Sequence, residues 1–550
     1  MISIDKKNDD EVIDCMLIGF NDFNFDSYVE SLKVMGNNSV SYRDANLSFI
    51  EHQGKKYRAL DFLNKYSFFK GESGGSLDNG EFLWPVITYL GTYLHRKGLT
   101  FDYVRLFHQD KAKLEKSIKN RNILTIAITT TVYVTPEPII EIIDFIRSIN
   151  PKIKIIVGGP YLAGQPELLD EESLNSLLDY IGADYYIFSA EGEATLGELI
   201  TAIKKDISID HISNLAFRSN GDFVRTNLTI ESNSLEENMI NYKLFSKSDI
   251  GQFVSVRTAK SCPFSCAFCG FPERAGKYKY LSLEYVEKEL DNIKDIGGVS
   301  TITFIDDTFN VPKTRFKEIL RLMIRKKYGF KWNSYLRSDH VDDEALTLMA
   351  ESGCEGVFLG VESGSDKILK KMNKTSSQAH YRRVISRCRE LNIITYASLI
   401  IGFPGEDADT VSETLEFLDS VKPDFFRAQV WYADPITPVY RNGEKYGLKG
   451  EGFSWVHNTM NALQAADYVE KIFLSVKGSK WLPQNGFEPW SLYYLQRRGM
   501  SMSQILSFLD NFNSAIKVKL KTGNLEVGQQ DFDELIQVVS TAKTKNIIKS

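Results

Sequence analysis

Three of the six cysteines in this 550-residue chain fall within eight residues. They are Cys262, Cys266 and Cys269, spaced C-x3-C-x2-C in the stretch Ser261-Cys262-Pro263-Phe264-Ser265-Cys266-Ala267-Phe268-Cys269-Gly270. One short loop with three thiolates can reach three corners of an iron–sulfur cube, for which thiolate is the usual protein ligand. A [4Fe-4S] cluster has four irons, so one iron stays open to a substrate or cofactor. Two other readings compete. A structural zinc site wants four closed ligands, and no fourth Cys or His lies nearby, the nearest downstream being His340. A disulfide would leave an odd thiol, in a chain whose start, Met1 to Asp14, is polar and acidic rather than a basic-then-apolar leader. Cys15, Cys354 and Cys388 are scattered and read as structural thiols.

Ahead of the loop, strands and helices alternate. Apolar runs at 15–20, Phe101–Phe107, Ile123–Thr129, Lys152–Val157 and Tyr185–Phe188 read as strands. Helical spacing covers Phe82 to Lys97, Pro136–Ile149, and a stretch opened by Glu191-Gly192-Glu193 that runs to about Lys205. Residues 21–80 show weak periodicity and end in the glycine-rich stretch 71–80, a loop by composition. Such alternation predicts an α/β, doubly wound parallel sheet, whose ligands bind beyond the carboxyl ends of the strands. Those ends are Gly19-Phe20, Thr129-Thr130-Thr131, Gly158-Gly159-Pro160-Tyr161 and Ser189-Ala190-Glu191-Gly192. Glycine lets a ligand approach the backbone closely; taken singly, each of these reads as a turn between strand and helix.

Residues 206–250 are polar and mixed and read as a linker. Val254–Arg257 is the strand that leads into the cysteine loop, and Leu283–Ile296 is a helix stopped by Gly297-Gly298. Strands follow at Thr301–Ile305, Trp332–Arg337, Gly356–Gly360, Thr395–Ile401 and Phe425–Trp431. The tail, 446–550, is aromatic to about 495 and then helical at 502–517 and 530–542. With 43% hydrophobic and 25% charged residues, the chain suits two or three globular domains. A net charge of −6 gives no global field for nucleic acid. No apolar run is long enough to span a bilayer. No nucleic acid, no membrane and a cytoplasmic location are the expectations.

C-x3-C-x-aromatic-C, with Phe268 before the last cysteine, resembles the cluster loop of radical S-adenosylmethionine (SAM) enzymes. The glycine-lined strand ends resemble, as an ordered set, the cobalamin-binding domain that precedes the radical SAM core in a large subfamily. A helix like Trp84–Gly98, then G-G-P after a strand, then E-G-E before a helix recur there in this order. The resemblance implies cobalamin near Gly19, Thr129, Thr130, Thr131, Gly158, Gly159, Pro160, Tyr161, Glu191 and Gly192. Two departures bear on it: Tyr161 stands where His is frequent, and Glu51-His52-Gln53-Gly54 does not match the D-x-H-x-x-G that supplies a histidine to cobalt. Cobalamin held without histidine on the metal is the implication.

On the barrel, the resemblance implies a partial (β/α)6 fold over 251–445 with SAM at the strand ends. Phe268, Asp306 and Asp307, Glu362 and Ser363 of Glu362-Ser363-Gly364-Ser365, and Gly402 of Gly402-Phe403-Pro404-Gly405-Glu406 would contact it. A helix cap or turn is the plain alternative for the acidic and serine residues. Arg337 and Arg427 are candidates for an anionic substrate, and Tyr432 and His457 for covering it. The implied domains are 1–205 for cobalamin, 206–250 as linker, 251–445 as radical SAM core and 446–550 as a mainly helical, substrate-covering region. The implied function is methyl transfer to an unactivated carbon, by way of methylcobalamin and a 5′-deoxyadenosyl radical. Asp14-Cys-Met-Leu-Ile-Gly and the segment 490–495 faintly resemble the phosphinate P-methyltransferase branch, whose acceptor is phosphorus. Alternatives are a cyclase or ring-rearranging enzyme with the same cofactors, and a non-enzymatic cobalamin sensor. A small-molecule or peptide substrate and an electron donor such as flavodoxin or ferredoxin complete the expectation.

Overall fold

The computed structural model describes residues 12–66, 83–231 and 233–540, which gather into two compact units. The glycine-rich stretch 71–80 lies outside the described residues.

The first unit takes described residues 12–23, 83–262 and 273–301. Its seven-stranded sheet has the order Phe101–Leu106, Ile13–Phe20, Ile123–Thr129, Lys154–Gly158, Tyr185–Ile187, Leu215–Ser219, Asp222–Arg225. The first five strands are parallel, so the α/β class expected from alternation holds. Ile13–Phe20 is buried almost throughout, which is why it reads as an unbroken apolar run rather than an alternating one. Helix Glu137–Ile149 buries Ile139, Ile142, Ile143 and Ile146, a single stripe laid on that sheet.

The last two strands are antiparallel and fall inside 206–250, where the sequence suggested linker. Polar flanks hid them. Their turn, Asn220-Gly221, has φ of +53° and +97°, the positive pair that a two-residue hairpin demands and Asn-Gly supplies.

The second unit takes described residues 24–66, 263–272 and 302–540. Strands Thr301–Phe304, Lys331–Leu336, Cys354–Glu362, Ile394–Ile401, Phe425–Val430 and Lys480–Trp481 lie side by side in chain order. The pairings from Lys331 onward are parallel. Helices Lys313–Lys326, Asp343–Glu351, Gln378–Glu390 and Ala408–Val421 connect successive strands, the crossovers that parallel neighbours require. The strand expected at Val254–Arg257 forms as Phe253–Val256.

Residues 24–66 join this unit and not the first, against the contiguous reading of 1–205. The reason is aromatic burial. Phe62 lies 6.0 Å from Phe508 and 5.3 Å from Phe532, ring centre to ring centre, and His52 stacks on Phe532 at 3.9 Å. The hairpin Phe49–His52/Lys55–Arg58 gains another backbone bond, with Val527 N–H donating to Glu51 O at 2.8 Å. Weak periodicity in 21–66 reflects a segment whose apolar faces are covered from the far end of the chain.

Candidate functional site

The cysteine loop is built to be held still. In the second unit, Ala267 N–H donates to Met372 O at 2.8 Å and Val439 N–H donates to Ala267 O at 2.9 Å. Asn373 Nδ2 donates to Ser265 O at 2.8 Å. A Cβ on Gly270 would stand 2.3 Å from Ile436 Cγ2, so only glycine lets the loop seat there. None of the three cysteines is in a disulfide, and Cys262 and Cys269 are partly accessible. Among the described residues no three His, Cys, Asp or Glu side chains are already grouped closely enough to hold a metal ion. The fit to a cluster therefore rests on the donors: three soft thiols in eight residues, with cations beside them. Arg337 Nη1 donates to Cys266 Sγ at 3.9 Å, which sets a guanidinium beside the loop sulfur.

Arg337 was a candidate for a substrate anion; here it serves the loop. Its guanidinium stacks on Phe264 at 3.6 Å and bonds both oxygens of Asp339 at 3.2 Å and Thr375 Oγ1 at 2.9 Å. Burial pushes the Asp339 carboxyl up, but hydrogen bonds from His340, Thr375 and Arg337 outweigh it and hold Asp339 well below the usual carboxylate range. Lys374 plays a similar part. Its Nζ bonds Glu362 Oε1 at 2.8 Å and sits 5.7 Å over the Phe268 ring. Burial opposes its charge, yet Glu362 prevails and holds the ammonium above its ordinary range.

Of the expected SAM contacts, Asp306, Asp307, Glu362, Ser363 and Gly402 stand at the carboxyl ends of strands of one sheet. Asp306 is buried; Asp307 keeps part of its surface in solvent, yet desolvation of its carboxyl pushes it up to about 6, with Asp306 adding repulsion. Asn310 fixes this segment to the next strand by a reciprocal pair, donating to Arg337 O at 2.8 Å and accepting from Arg337 N–H at 3.0 Å. Glu362 ends its strand at φ +62°. Ser363 Oγ accepts from Ser365 N–H at 3.1 Å, the turn geometry weighed against SAM contact. Gly402 has φ +92°, and its N–H donates to Glu406 Oε2 at 2.5 Å. Asn333, both of its polar atoms, Thr308 Oγ1 and Ser338 Oγ are buried without a protein partner. Asn333, Tyr335 and Arg337 share one strand face by the period of two. Unmatched polar atoms of this kind suit a polar ligand.

Tail residues brace this site. His457 Nδ1 accepts from Thr459 N–H at 3.3 Å, which leaves Nε2–H to donate to Gly402 O at 3.1 Å. Its ring stacks on Trp455 at 5.1 Å, and Trp455 Nε1 donates to Trp431 O at 2.8 Å. Burial pulls the His457 pKa down, so the neutral ring is favoured. Tyr432 is exposed, against Phe453. Arg427 is buried, and its Nη2 donates to Pro483 O at 2.9 Å. Its charge also reaches Asp44, whose carboxyl burial pushes up to about 6.

The first unit carries a small cleft at the strand ends. Thr129, Thr131, Gly158, Gly159, Pro160, Glu191 and Gly192 line it, and none of the lining residues is histidine. Three expected residues do not line it. Gly19 is a packing glycine, where a Cβ would meet Arg105 O at 2.6 Å and Ile87 Cδ1 at 2.7 Å. Thr130 is buried and bonds Gly158 O at 3.0 Å through its hydroxyl, and Tyr161 packs against the apolar core. A Cβ on Gly159 would come within 2.9 Å of Thr130 Oγ1 at φ +116°, so the cleft floor exists only as glycine.

Two features escaped the sequence reading. Val86 and Leu90 of helix Pro85–Arg96 form an apolar wall of the cleft, a signal present in that helix's periodicity. Glu231, in the presumed linker, caps helix Glu193–Lys205 by accepting from Ala194 N–H at 2.9 Å and Thr195 N–H at 3.2 Å. The cap reaches across from a distant segment, so no local pattern announces it.

Residues 256–418 match the radical SAM superfamily. An uncharacterized methyltransferase of Pyrococcus horikoshii is 29% identical over 296 residues, 52% of this chain and 62% of the relative. The anaerobic magnesium-protoporphyrin IX monomethyl ester cyclase of Cereibacter sphaeroides is 25% identical over 392 residues, 67% of this chain and 61% of the relative. The chain thus spans about three fifths of the length of these two curated relatives. Among solved structures, OxsB, a cobalamin-dependent S-adenosylmethionine radical enzyme with aqua-cobalamin bound, shares the fold at a TM-score of 0.56. It is 15% identical, with 91% of this chain and 84% of that one covered. The radical SAM methyltransferase TsrM of Kitasatospora setae, with cobalamin and a [4Fe-4S] cluster bound, has a TM-score of 0.54 and 18% identity, covering 72% of this chain and 80% of that one.

Proposed function

We propose that this chain, whose residues 256–418 match the radical SAM superfamily, is a cobalamin-dependent radical SAM methyltransferase. One observation carries the reading: a braced three-thiol loop and a glycine-floored cleft at the end of a doubly wound sheet occur in one chain. When bound, the [4Fe-4S] cluster and SAM supply a 5′-deoxyadenosyl radical, and cobalamin supplies a methyl carrier.

The protein's own residues would bind, orient and shield. Cys262, Cys266 and Cys269 would hold three irons, and Arg337 steadies the loop while offsetting its negative charge. Phe268, Asp306, Asp307, Glu362, Ser363 and Gly402 would contact SAM, with Lys374 holding Glu362 and the Trp455–His457 strap holding Gly402. Thr129, Thr131, Gly158, Gly159, Pro160, Glu191 and Gly192 would cradle cobalamin, without histidine from the cleft lining. Tail residues about Tyr432 and His457 would exclude water from the reacting centre. The substrate is a small molecule or peptide with an unactivated carbon; a phosphinate phosphorus is the narrower option, supported only by the faint terminal resemblance. A flavodoxin or ferredoxin would deliver the electron. No described helix is long and apolar enough to cross a membrane.

A second reading is favoured by the cyclase relative, which matches two thirds of this chain: ring formation with the same cofactors and no methyl transfer. Methyl-labelled SAM separates the two. The methyltransferase reading expects label in the product, with S-adenosylhomocysteine and 5′-deoxyadenosine formed in near-equal amounts. 5′-Deoxyadenosine with an unlabelled, cyclised product gives the second reading. Absence of SAM cleavage by reconstituted, reduced protein overturns both.

A further inference from the structure

Two cations on the segment that delivers the cysteine loop reach the Glu191-Gly192-Glu193 turn of the cleft. Lys260 Nζ stands 2.7 Å from Glu191 Oε1, and the two side chains are only 11% and 15% exposed. Three residues earlier, Arg257 lies over the Tyr89 ring at 4.4 Å, and its charge opposes the burial that pushes Glu193 up to about 7. Lys260 is itself fixed, because Ala259–Lys260 pairs antiparallel with Lys279–Tyr280. The next residue, Ser261, sits at φ +66° with its Oγ donating to Gly276 O at 2.6 Å, and Cys262 follows directly. At the other end of the ion pair, Glu191 lines the cleft, and Gly192 at φ +72° starts helix Glu193–Lys205. Asn233 Nδ2 spans the same acidic group, bonding Glu231 at 2.9 Å and Glu193 at 3.1 Å and reaching Glu191 at 3.5 Å.

We propose that Lys260 is a positioning residue whose ion pair with Glu191 couples the rim of the cleft to the cysteine loop. The proposal rests on the reading that the cleft takes cobalamin. An ion pair so little exposed is weakly screened by salt. Removing one partner leaves the other charge buried and uncompensated, so the survivor turns away and takes its backbone with it. On the glutamate side that backbone is the turn at Gly192; on the lysine side it is the entry to Cys262. Coupling between two sites is reciprocal: what filling the cleft does to the loop, assembling the cluster does to the cleft.

The test is a hydroxocobalamin titration of the full, anaerobically reconstituted chain, followed by absorbance. Wild-type protein should bind one equivalent. K260M and E191Q should each bind about tenfold more weakly, K260R should recover most of the loss, and K260M/E191Q should be no worse than the weaker single variant. A second readout is the EPR spectrum of the reduced cluster, which should shift on adding hydroxocobalamin to wild type and stay still in K260M. If K260M does not fold, E191Q and the double variant, which buries no lone charge, carry the same comparison. Wild-type affinity in the single variants, losses that multiply in the double variant, or a cluster spectrum indifferent to hydroxocobalamin would each overturn the coupling. Failure of the wild type itself to bind would overturn the cobalamin reading and this inference with it, which is distinguishable from normal wild-type binding with indifferent variants.

Discussion

Cys266 and Cys15 are both buried thiols with different neighbours. Burial pushes Cys15 up to about 12, and does the same to Cys388, so both stay protonated and inert. Cys266 instead receives the Arg337 guanidinium. Replacing Cys262, Cys266 and Cys269 together by Ala should abolish iron and sulfide incorporation and the associated visible absorbance. The same change at Cys15, Cys354 and Cys388 should leave the cluster content unaltered. Glu406 offers a pH test at this scale. Burial pushes its carboxyl from an ordinary 4.5 to about 8, although the Gly402 and Phe403 N–H groups favour the charge. Between those values the folded chain keeps a proton that the unfolded chain has lost. Its stabilising share is therefore full below pH 4.5 and is lost as pH rises to about 8. E406Q, which cannot ionise, should flatten that part of the stability profile in denaturant unfolding from pH 5 to 8.

Elements transmit these residue effects through turns that only certain residues permit. Gly159 starts the short helix Pro160–Ala163 from φ +116°, and a side chain there meets the hydroxyl of Thr130. G159V should store about 1–3 kcal/mol of strain and weaken hydroxocobalamin binding more than it lowers the melting temperature. Helix Glu193–Lys205 begins at a glycine, with its cap supplied by Glu231 from another segment. E231A should cost about 1 kcal/mol, read as earlier unfolding of the first unit. In the second unit the strap Trp455–His457 holds the Gly402 carbonyl. H457A should raise the dissociation constant for SAM, measured by calorimetry, with little change in iron content.

At the scale of the molecule, the second unit is closed by the two distant stretches 24–66 and 502–540. Lys519 is their clasp: its Nζ donates to Asn46 O at 2.8 Å and Phe49 O at 2.7 Å, over the Phe49 ring at 4.0 Å. Burial pulls its pKa from 10.5 to about 7, with Glu51 opposing. From about 7 to 10.5 the unfolded chain holds a proton that the folded chain has released, so this contribution to stability rises with pH and is lost as pH falls through 7. K519M leaves two buried carbonyls short of a donor, at about 1–3 kcal/mol each, against relief of the buried charge. The gap in unfolding free energy between wild type and K519M should widen from pH 7 to pH 10; a gap that narrows would sink the clasp.

What the sequence determined by itself is whatever local spacing encodes. Leu283–Ile296 forms with the residues its apolar face predicts, and every expected barrel strand forms within a few residues of its reading, because periodicity and glycine stops act over one turn or one pleat. The three-thiol loop was legible for the same reason: its chemistry lies in eight consecutive residues. Only tertiary structure decided the rest. It assigned residues 24–66 to the second unit, turned Gly19 from a candidate contact into a packing residue, and moved Arg337 and His457 from substrate candidates to braces. It also paired Lys260 with Glu191. Each of these depends on contacts between residues far apart in the chain, and a buried charge or a polar atom takes its meaning from the partner that long-range packing brings to it.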